Sequence, residues 1–287
     1  KLHVITTNLS KFLKFRGKEK NHKKLENLCL DLKLKEVQKY QMFRYQILIE
    51  YAGTNFRGWQ VQKKGKTIQG LIQHKISKLL KEKIILIGSG RTDSGVHAIE
   101  QSAHFDCLTK IIDLDRFLKS INHFLNKEGV TIIRIRKRNK NFHSRFSAKL
   151  RIYRYIIINR LSGPVLDKNR GWHIMKELDL ASMKQGAKKL VGTKDFSTFR
   201  ASSCRAKSPI KTMKLVKIKS YKNKIEIEFR SKSFLQQQVR SMVGCLKYLE
   251  EKKWSLKKFE SVMKSKKRIL CAPPAPPEGL FLTRIIY

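Results

Sequence analysis

The chain has 287 residues, of which 41% are hydrophobic, and its 64 Lys and Arg against 22 Asp and Glu give a formal net charge of +42. This hydrophobic content excludes a disordered chain, and no apolar run reaches the roughly 18 residues of a membrane span. The charge predicts a polyanionic partner, nucleic acid above all, whose binding weakens with added salt. The alternative is a lysine-biased genome that scatters cations over a solvated surface.

Cysteine and histidine usage bears on redox and metal chemistry. The five cysteines include no Cys-x-x-Cys pair, and their number is odd. This usage predicts a reducing compartment, without a disulfide framework or a zinc site. His97 and His104 are too far apart in sequence to form a one-turn metal pair, so we predict no metal.

Residues 1–42 form a basic extension without a strong strand pattern, in which 33–41 has the composition of a short helix. A basic N-terminus is typical of an organelle targeting segment, but this one contains more acidic residues than such segments carry. A basic tail on a bacterial protein is the alternative. The bacterial cytoplasm and the mitochondrial matrix both stay open as locations.

A globular pattern begins at Phe43, and its apolar periodicity predicts both strands and helices. Because hairpins interrupt the alternation of strands and helices, we predict an α+β protein in two halves, 43–148 and 149–287. In chain order, the predicted elements are strand 45–51, helix 68–80, strands 83–87 and 99–106, helix 114–125, strands 131–136 and 151–158, helix 179–190, paired strands 213–221 and 224–230, helices 234–249 and 255–264, and strand 278–286.

A glycine-rich stretch, residues 88–98, follows the apolar run 83–87, which we interpret as a buried strand. Glycine permits backbone angles closed to other residues and allows a ligand or another backbone to come close. Arg91 and Asp93 lie inside this loop, two residues apart. A carboxylate beside an arginine on such a turn suits chemistry on an anionic substrate. A structural turn with a surface ion pair explains the same residues equally well.

The segment 129–166 contains no acidic residue, while Arg and Lys recur along it. Aromatic residues are interleaved with these cations. Basic and aromatic residues together can hold phosphates and stack bases, which favours RNA binding over a basic strand pair with core aromatics. The aromatic residues in question are Phe142, Phe146, Tyr153 and Tyr155.

Six separated motifs, in order from Phe43 to Tyr287, resemble those of the TruA-type tRNA pseudouridine synthases. The glycine loop Gly88-x-Gly90-Arg91-Thr92-Asp93-x-Gly95-Val96-His97-Ala98 is fairly specific alone, and six motifs in one order are very specific. The other five are Tyr51-x-Gly53-Thr54-x-Phe56-x-Gly58-Trp59-Gln60, His143-x-Arg145-Phe146-Ser147-Ala148-x-x-Arg151-x-Tyr153-Arg154-Tyr155, Asp195-Phe196-x-x-Phe199-Arg200, Phe234-Leu235-x-x-x-Val239-Arg240-x-Met242-Val243-Gly244 and Glu278-Gly279-Leu280-Phe281-Leu282.

The resemblance implies a fold and a substrate. It implies two RRM-like α+β lobes that share a mixed, largely antiparallel sheet, with helices on one side and the active-site cleft between the lobes. It also implies a homodimer that isomerises uridine to pseudouridine in the anticodon stem-loop, around tRNA positions 38–40, without a cofactor. The extension 1–42 is not covered by the resemblance.

The resemblance also assigns roles to individual residues. Asp93 occupies the position of the catalytic aspartate, and Arg91 matches an arginine of the active-site loop. Tyr153 matches the tyrosine beside the target base, Arg240 a basic residue near the carboxylate, and Leu280 an apolar residue of the pocket. Six further residues of the motifs are candidate RNA contacts: Arg57, Gln60, Arg145, Arg151, Arg154 and Arg200.

The chemistry of the reaction agrees with this assignment. The C1′–N1 bond breaks, the uracil rotates, and C5 joins C1′, so no redox partner or group donor is needed. A carboxylate can attack C1′ or remove the proton there, and both options stay open for Asp93. A base in a helical stem must be flipped out, and an aromatic side chain such as Tyr153 can support it.

Two features depart from the family pattern. Gln236 and Gln237 stand where many members carry His, so a hydrogen-bonding group is kept without titration near neutral pH. The high charge and the extension raise a rival function, a TruA-like structural RNA-binding subunit of a mitochondrial ribosome with little turnover. Asp93, Arg91 and Tyr153 are all present, which favours an active enzyme.

Overall fold

The computed structural model describes residues 42–287, so the predicted helix over 33–41 and nearly all of the extension 1–42 lie outside the described residues. Within the described part, no helix is long and apolar enough to cross a membrane.

The N-terminal half alternates strands with two helices, as predicted. Its elements are β1 (Phe43–Tyr51), α1 (Ile68–Leu80), β2 (Ile87–Gly88), β3 (His97–Cys107), α2 (Leu114–Leu125) and β4 (Val130–Arg138).

The C-terminal half adds a hairpin and a helix pair. Its elements are β5 (Leu150–Asn159), β6 (Trp172–Ile174), α3 (Leu180–Leu190), β7 (Gly192–Asp195), β8 (Ile210–Tyr221), β9 (Lys224–Ser231), α4 (Gln238–Glu250), α5 (Leu256–Ser265) and β10 (Leu280–Ile286).

One ten-stranded sheet runs through both halves in the order β4-β1-β3-β10-β5-β9-β8-β7, with β2 beside β3 and β6 beside β5. Each half contains a βαββαβ unit, with main strands β1, β2, β3 and β4 in the first half and β5, β8, β9 and β10 in the second. If these four strands are numbered 1 to 4 in chain order, both halves have the strand order 4-1-3-2 in the sheet, as β4-β1-β3-β2 and β10-β5-β9-β8. Parallel pairing of β10 with β3 joins the halves, and β10 pairs antiparallel with β5 on its other side. The predicted α+β fold with a mixed sheet is confirmed. The predicted lobe boundary between residues 148 and 149 stays a prediction.

Side-chain caps fix where the helices begin. Thr67 Oγ1 accepts the N–H of Gly70 at 3.3 Å, which starts α1 where the sequence predicts it. The Asp113 carboxylate accepts the N–H of Arg116 at 2.8 Å at the start of α2. Such caps satisfy backbone donors that the first helical turn leaves without partners.

The predicted strand over 83–87 is wrong, since only Ile87 and Gly88 form a short strand, β2. The reason is that side chains of α1, and not a neighbouring strand, form hydrogen bonds to the backbone of this run. Gln69 Nε2 donates to the Leu86 carbonyl at 2.7 Å, and Ser77 Oγ accepts the Ile84 N–H at 3.0 Å. Of the five residues only Ile84 and Leu86 are buried, so the run is not an interior strand.

The predicted helix over 234–249 begins four residues later, at Gln238. Gln237 has a φ of 60°, in the left-handed region that interrupts a helix. The Gln238 side chain accepts the Leu235 N–H at 2.8 Å and closes a turn just before α4. Gln236 therefore lies outside helix α4, which contains Arg240.

An ion pair between β1 and β3 gives a first test of stability. Arg44 Nε and Nη2 donate to the two Asp106 carboxylate oxygens at 2.7 Å each. This bond to Arg44 lowers the pKa of Asp106 below its ordinary value of 3.8. A lowered folded-state pKa stabilises the fold above the unfolded value, and this contribution is lost as the pH falls through the folded pKa.

We therefore expect Asp106→Asn to lower the free energy of unfolding by about 1 kcal/mol at neutral pH, because both ends of the pair are only partly exposed. Urea unfolding at several pH values measures this difference. The gap between wild type and variant should begin to close as the pH falls below 3.8 and vanish below the lower folded-state pKa, where Asp106 is protonated in both states. A gap that is constant with pH would contradict the electrostatic origin.

Candidate active site

The glycine loop (residues 88–98) is anchored at its start by β3. The Ser89 N–H donates to the Ser102 carbonyl at 2.8 Å. The Ser89 hydroxyl donates to Gln101 Oε1, and Gln101 Nε2 donates to the Gly90 carbonyl, both at 2.8 Å. Because Gln101 and Ser102 are fully buried, these bonds hold the loop in one position.

The segment after β1 holds the middle of the glycine loop. The Trp59 N–H donates to the Thr92 carbonyl at 3.1 Å. The Tyr51 hydroxyl and the Thr92 hydroxyl are 2.8 Å apart, and Ser94 Oγ donates to the Phe56 carbonyl at 3.1 Å. These contacts bracket Asp93 on both sides and explain why the motif around Tyr51 accompanies the glycine loop.

Two glycines allow this close approach. Gly58 has a φ of +80°, and a Cβ there would lie 2.6 Å from the Thr92 carbonyl oxygen. Gly95 has a φ of +79°, and a Cβ there would lie 2.8 Å from Pro277 Cγ. Both positions require glycine for conformation and for space. The absence of a side chain at Gly95 lets the C-terminal segment at Pro277 lie directly against the glycine loop.

Asp93 sits in the loop as a half-buried carboxylate, its side chain 25% exposed. Burial raises the pKa of Asp93, and the charge of Arg240 opposes that rise. Arg240 Nη1 lies 3.7 Å from Asp93 Oδ2. Arg240 therefore favours the ionised form of Asp93, against the effect of burial.

Arg240 is itself held by the proline-rich segment that precedes β10. Its Nε donates to the Ala275 carbonyl at 2.7 Å, and its own carbonyl accepts the Ala275 N–H at 3.0 Å. The Tyr155 hydroxyl donates to the neighbouring Pro276 carbonyl at 2.8 Å. Leu280 pairs with Tyr155 across β10 and β5 and is buried. The segment therefore connects α4, β5 and the glycine loop.

Tyr153 lies on β5, and its ring contacts Phe234 edge-on with ring centroids 5.0 Å apart. Burial raises the pKa of Tyr153 to about 12, Arg151 opposes this rise, and the charge of Asp93 adds to it. The phenol is therefore neutral at physiological pH and lies within electrostatic reach of Asp93. Among the described residues its hydroxyl has no hydrogen-bond partner, which leaves it available to a bound molecule.

The structure thus brings Asp93, Tyr153 and Arg240 together, with Leu280 buried on the adjoining strand. Arg91 is exposed on the glycine loop, two residues from Asp93.

Most candidate RNA contacts lie at the surface. Arg57 and Arg145 are exposed, and Gln60 and Arg200 are half-buried. Arg154 is also half-buried, and its Nη1 lies 3.4 Å from a Glu226 carboxylate oxygen.

Arg151 is placed differently from the other candidates, since it is only 8% exposed. Its Nη2 donates to the Ser89 carbonyl at 2.7 Å and to the Arg145 carbonyl at 2.9 Å. Its Nη1 donates to the Lys232 carbonyl. With its donors used internally, Arg151 supports the glycine loop and offers little surface to RNA.

Sequence reasoning gave no role to Tyr51, Ser89 or Gln101, which fix the glycine loop. The signal for Gln101 is a polar pair, Gln101 and Ser102, in the middle of a predicted strand. Within residues 42–287, no group of three or more His, Cys, Asp or Glu could hold a metal ion.

Comparison with known proteins identifies the family. A family model described as tRNA pseudouridine synthase matches residues 47–147 and 187–287. The two matched stretches include Asp93 and Arg240 and make up more than half of the chain. The chain belongs to the tRNA pseudouridine synthase family.

Individual relatives in this family cover nearly the same part of the chain. A protein named tRNA pseudouridine synthase A from Pelagibacter ubique (strain HTCC1062) is 72% identical over 246 residues, 86% of this chain and 100% of the relative. Proteins of the same name from Parvibaculum lavamentivorans and Paramagnetospirillum magneticum are 39% and 41% identical, each over 86% of this chain and over 100% and 96% of the relative, respectively.

Membership of the tRNA pseudouridine synthase family confirms the resemblance drawn from the six motifs. These three relatives are bacterial proteins named as synthases, so the comparisons give no support to a structural subunit of a mitochondrial ribosome.

Proposed function

We propose that this chain isomerises uridine to pseudouridine in tRNA, with Asp93 as the catalytic carboxylate. The observation that carries the proposal is the placement of Asp93 on a doubly anchored loop, 3.7 Å from Arg240. The printed name of a relative that is 72% identical, tRNA pseudouridine synthase A, supports the same reaction.

The site suits this reaction chemically. Breaking C1′–N1 and forming C5–C1′ moves a proton from C5 of the uracil and restores one at N1, so atoms and electrons balance within the substrate. Asp93 acts at C1′, either as the nucleophile that displaces N1 and leaves again when C5 bonds to C1′, or as the base that removes the C1′ proton and returns it before the product is complete. Both roles need the ionised carboxylate, which Arg240 favours.

This electrostatic pair makes activity depend on pH. Arg240 lowers the pKa of Asp93 against the effect of burial, so its loss should raise that pKa further. Because the ionised form is active, the acidic limb of the rate profile should move to higher pH in Arg240→Gln. Single-turnover rates measured across pH would show this shift. An acidic limb at the wild-type pH, with only a uniformly lower rate, would instead assign Arg240 a purely steric role.

Tyr153 and Arg91 complete the proposed site. The target uridine must leave its helical stack to reach Asp93. We infer that the neutral Tyr153 ring packs against the flipped uracil and that the exposed Arg91 enters the RNA beside the vacated position. The hydroxyl of Tyr153 has no hydrogen-bond partner within residues 42–287 and can bond to the substrate.

The surrounding surface provides the phosphate contacts that a tRNA needs. We propose that Arg57, Gln60, Arg145, Arg154 and Arg200 hold the RNA backbone, positioning the anticodon stem-loop with positions 38–40 at Asp93. Such contacts position the substrate without reading its sequence, and affinity should fall with added salt.

The oligomeric state, the location and the role of the extension are proposals that family membership supports. We propose a homodimer that acts on tRNA in the bacterial cytoplasm, with the basic extension 1–42 adding nonspecific RNA affinity. No step of the reaction requires a redox partner or a group donor.

The target positions are tested by mapping pseudouridine in tRNA from cells that lack the gene and from cells complemented with it. Loss at positions 38–40 that is restored by wild type, but not by Asp93→Asn, is the expected result. Unchanged pseudouridine at those positions in the deletion strain would overturn the proposed target.

A further inference from the structure

Phe146 is an aromatic side chain that the proposed mechanism does not use. It is 73% exposed, although the motif that contains it places Ser144 and Ala148 in the interior. Exposing so large an apolar ring to water gains nothing for folding, since it is the burial of apolar surface that stabilises a fold. Its exposure leaves the ring accessible to a bound molecule.

The backbone around Phe146 is fixed by local hydrogen bonds. His143 Nδ1 accepts the N–H of Arg145 at 3.1 Å and the N–H of Phe146 at 3.3 Å. The Ser147 N–H donates to the His143 carbonyl at 2.9 Å, and the His143 N–H donates to Ser147 Oγ at 3.0 Å. The ring is thus presented on a preformed turn, which lowers the entropic cost of using it in binding.

His143, Arg145 and Phe146 together form what we call the aromatic platform. The ring centroids of His143 and Phe146 are 4.3 Å apart, with the planes tilted by 35°. The Arg145 guanidinium carbon lies 5.6 Å from the Phe146 ring centroid. An aromatic ring beside a guanidinium group is a combination on which unpaired nucleobases stack, with the cation close to the phosphate.

The aromatic platform is tied to the glycine loop through one side chain. Arg151 Nη2 donates both to the Arg145 carbonyl and to the Ser89 carbonyl. Phe146 is exposed whereas Tyr153 is 7% exposed, so the platform faces solvent and Tyr153 is buried. The two aromatics therefore suit different parts of one RNA molecule.

We propose that the aromatic platform stacks an unpaired nucleobase of the bound RNA, other than the target uracil. The proposal rests on the proposed function, because it takes RNA as the substrate of the neighbouring site. The platform lies in the acid-free segment 129–166, whose charge favours a polyanionic partner. RNA is the better candidate than an acidic protein, because base stacking does not require a partner with a complementary folded surface.

The test measures RNA binding separately from catalysis. Anticodon stem-loop RNAs carrying 2-aminopurine at one loop position at a time report stacking through fluorescence quenching. We expect wild type to quench at one or more positions, and Phe146→Leu to lose this quenching and to bind about tenfold more weakly. Phe146→Trp should keep both properties. The salt dependence of Kd should not change in Phe146→Leu, because no charge is removed.

Phe124→Leu is the matched control, since Phe124 is 46% exposed and has Lys75 Nζ 5.6 Å from its ring centroid. It should bind RNA as wild type does. Wild-type Kd and quenching in Phe146→Leu would overturn the proposal. So would a shift from dimer to monomer in sedimentation at unchanged RNA affinity, which would make Phe146 a contact between copies.

Pseudouridine formation by the wild type is measured in parallel. An active wild type together with unchanged binding by Phe146→Leu overturns the platform alone. An inactive wild type overturns the proposed function, whatever the quenching shows.

Discussion

Asp93→Asn is expected to lower the rate of pseudouridine formation by at least about a thousandfold, as removal of a group at the reacting centre does in other enzymes. The amide keeps the shape of the carboxylate but cannot act as a nucleophile or base at C1′. Binding of tRNA should stay close to wild type, because Asp93 is one group in a large basic contact surface. Single-turnover rates and equilibrium binding separate the two effects.

The same variant should be folded and no less stable at pH 7. Burial raises the pKa of Asp93 in the folded state. A raised folded-state pKa stabilises the fold below the unfolded value, and this contribution is lost as the pH rises through the folded pKa. At neutral pH the ionised Asp93 therefore costs stability, and the neutral amide removes that cost.

Asp195→Asn is the matched control for the loss of a carboxylate, since Asp195 accepts the Ser197 N–H at 2.8 Å outside the glycine loop. It should retain wild-type activity. A comparable loss of activity in both variants, or a destabilised Asp93→Asn, would remove the catalytic assignment.

Arg151→Met is expected to show the second-largest effect, on stability first and on turnover second. The substitution leaves the carbonyls of Ser89, Arg145 and Lys232 without their guanidinium donor. Because the group is buried and charged, we expect a loss of about 3 kcal/mol in the free energy of unfolding. Turnover should fall because Ser89 begins the glycine loop, while the salt dependence of tRNA affinity should change little. Urea unfolding and salt titrations of Kd give the two readouts.

Arg154→Met is the control on the same strand, because Arg154 is a candidate RNA contact in a partly exposed ion pair. It should lose less than about 1 kcal/mol of stability. Its tRNA affinity should fall, with a shallower dependence on salt. The reverse pattern, in which Arg151→Met alters the salt slope and Arg154→Met unfolds the protein, would contradict the placement of the two side chains.

Local signals predicted most of the fold. Helix α2 has the predicted bounds because an Asp cap and a regular apolar face, with Phe117, Ile121 and Leu125 buried, agree with each other. The sequence predicts the β8–β9 hairpin because its turn, Lys222 and Asn223, interrupts two alternating runs. The structure confirms the pairing, and Lys222 in the turn has a φ of 50°.

Tertiary contacts decided what the sequence could not. The run 83–87 is apolar and β-branched, yet side chains of α1 bind its backbone, and no local pattern reveals such a partner. The start of α4 is another case, because the left-handed Gln237 depends on the turn closed by Gln238.

The candidate site shows the same contrast between residues that local motifs reveal and residues whose surroundings depend on tertiary contacts. Asp93, Arg240 and Tyr153 were named from motifs, and the structure places them together. The sequence presents Arg151 as a candidate RNA contact, because nothing in the neighbouring residues indicates that this arginine of a basic segment is buried. Its real surroundings come from three chain segments far apart in sequence, at Ser89, Arg145 and Lys232.

We propose that Asp93 performs the isomerisation of uridine in tRNA. The most direct measurement incubates an unmodified tRNA transcript with excess wild-type or Asp93→Asn protein, without added cofactor, and quantifies pseudouridine by position over time. Wild type should convert uridine within the anticodon stem-loop, and Asp93→Asn should bind the same RNA without converting it. Equal conversion by both proteins, or none by wild type that binds the transcript, would contradict the claim.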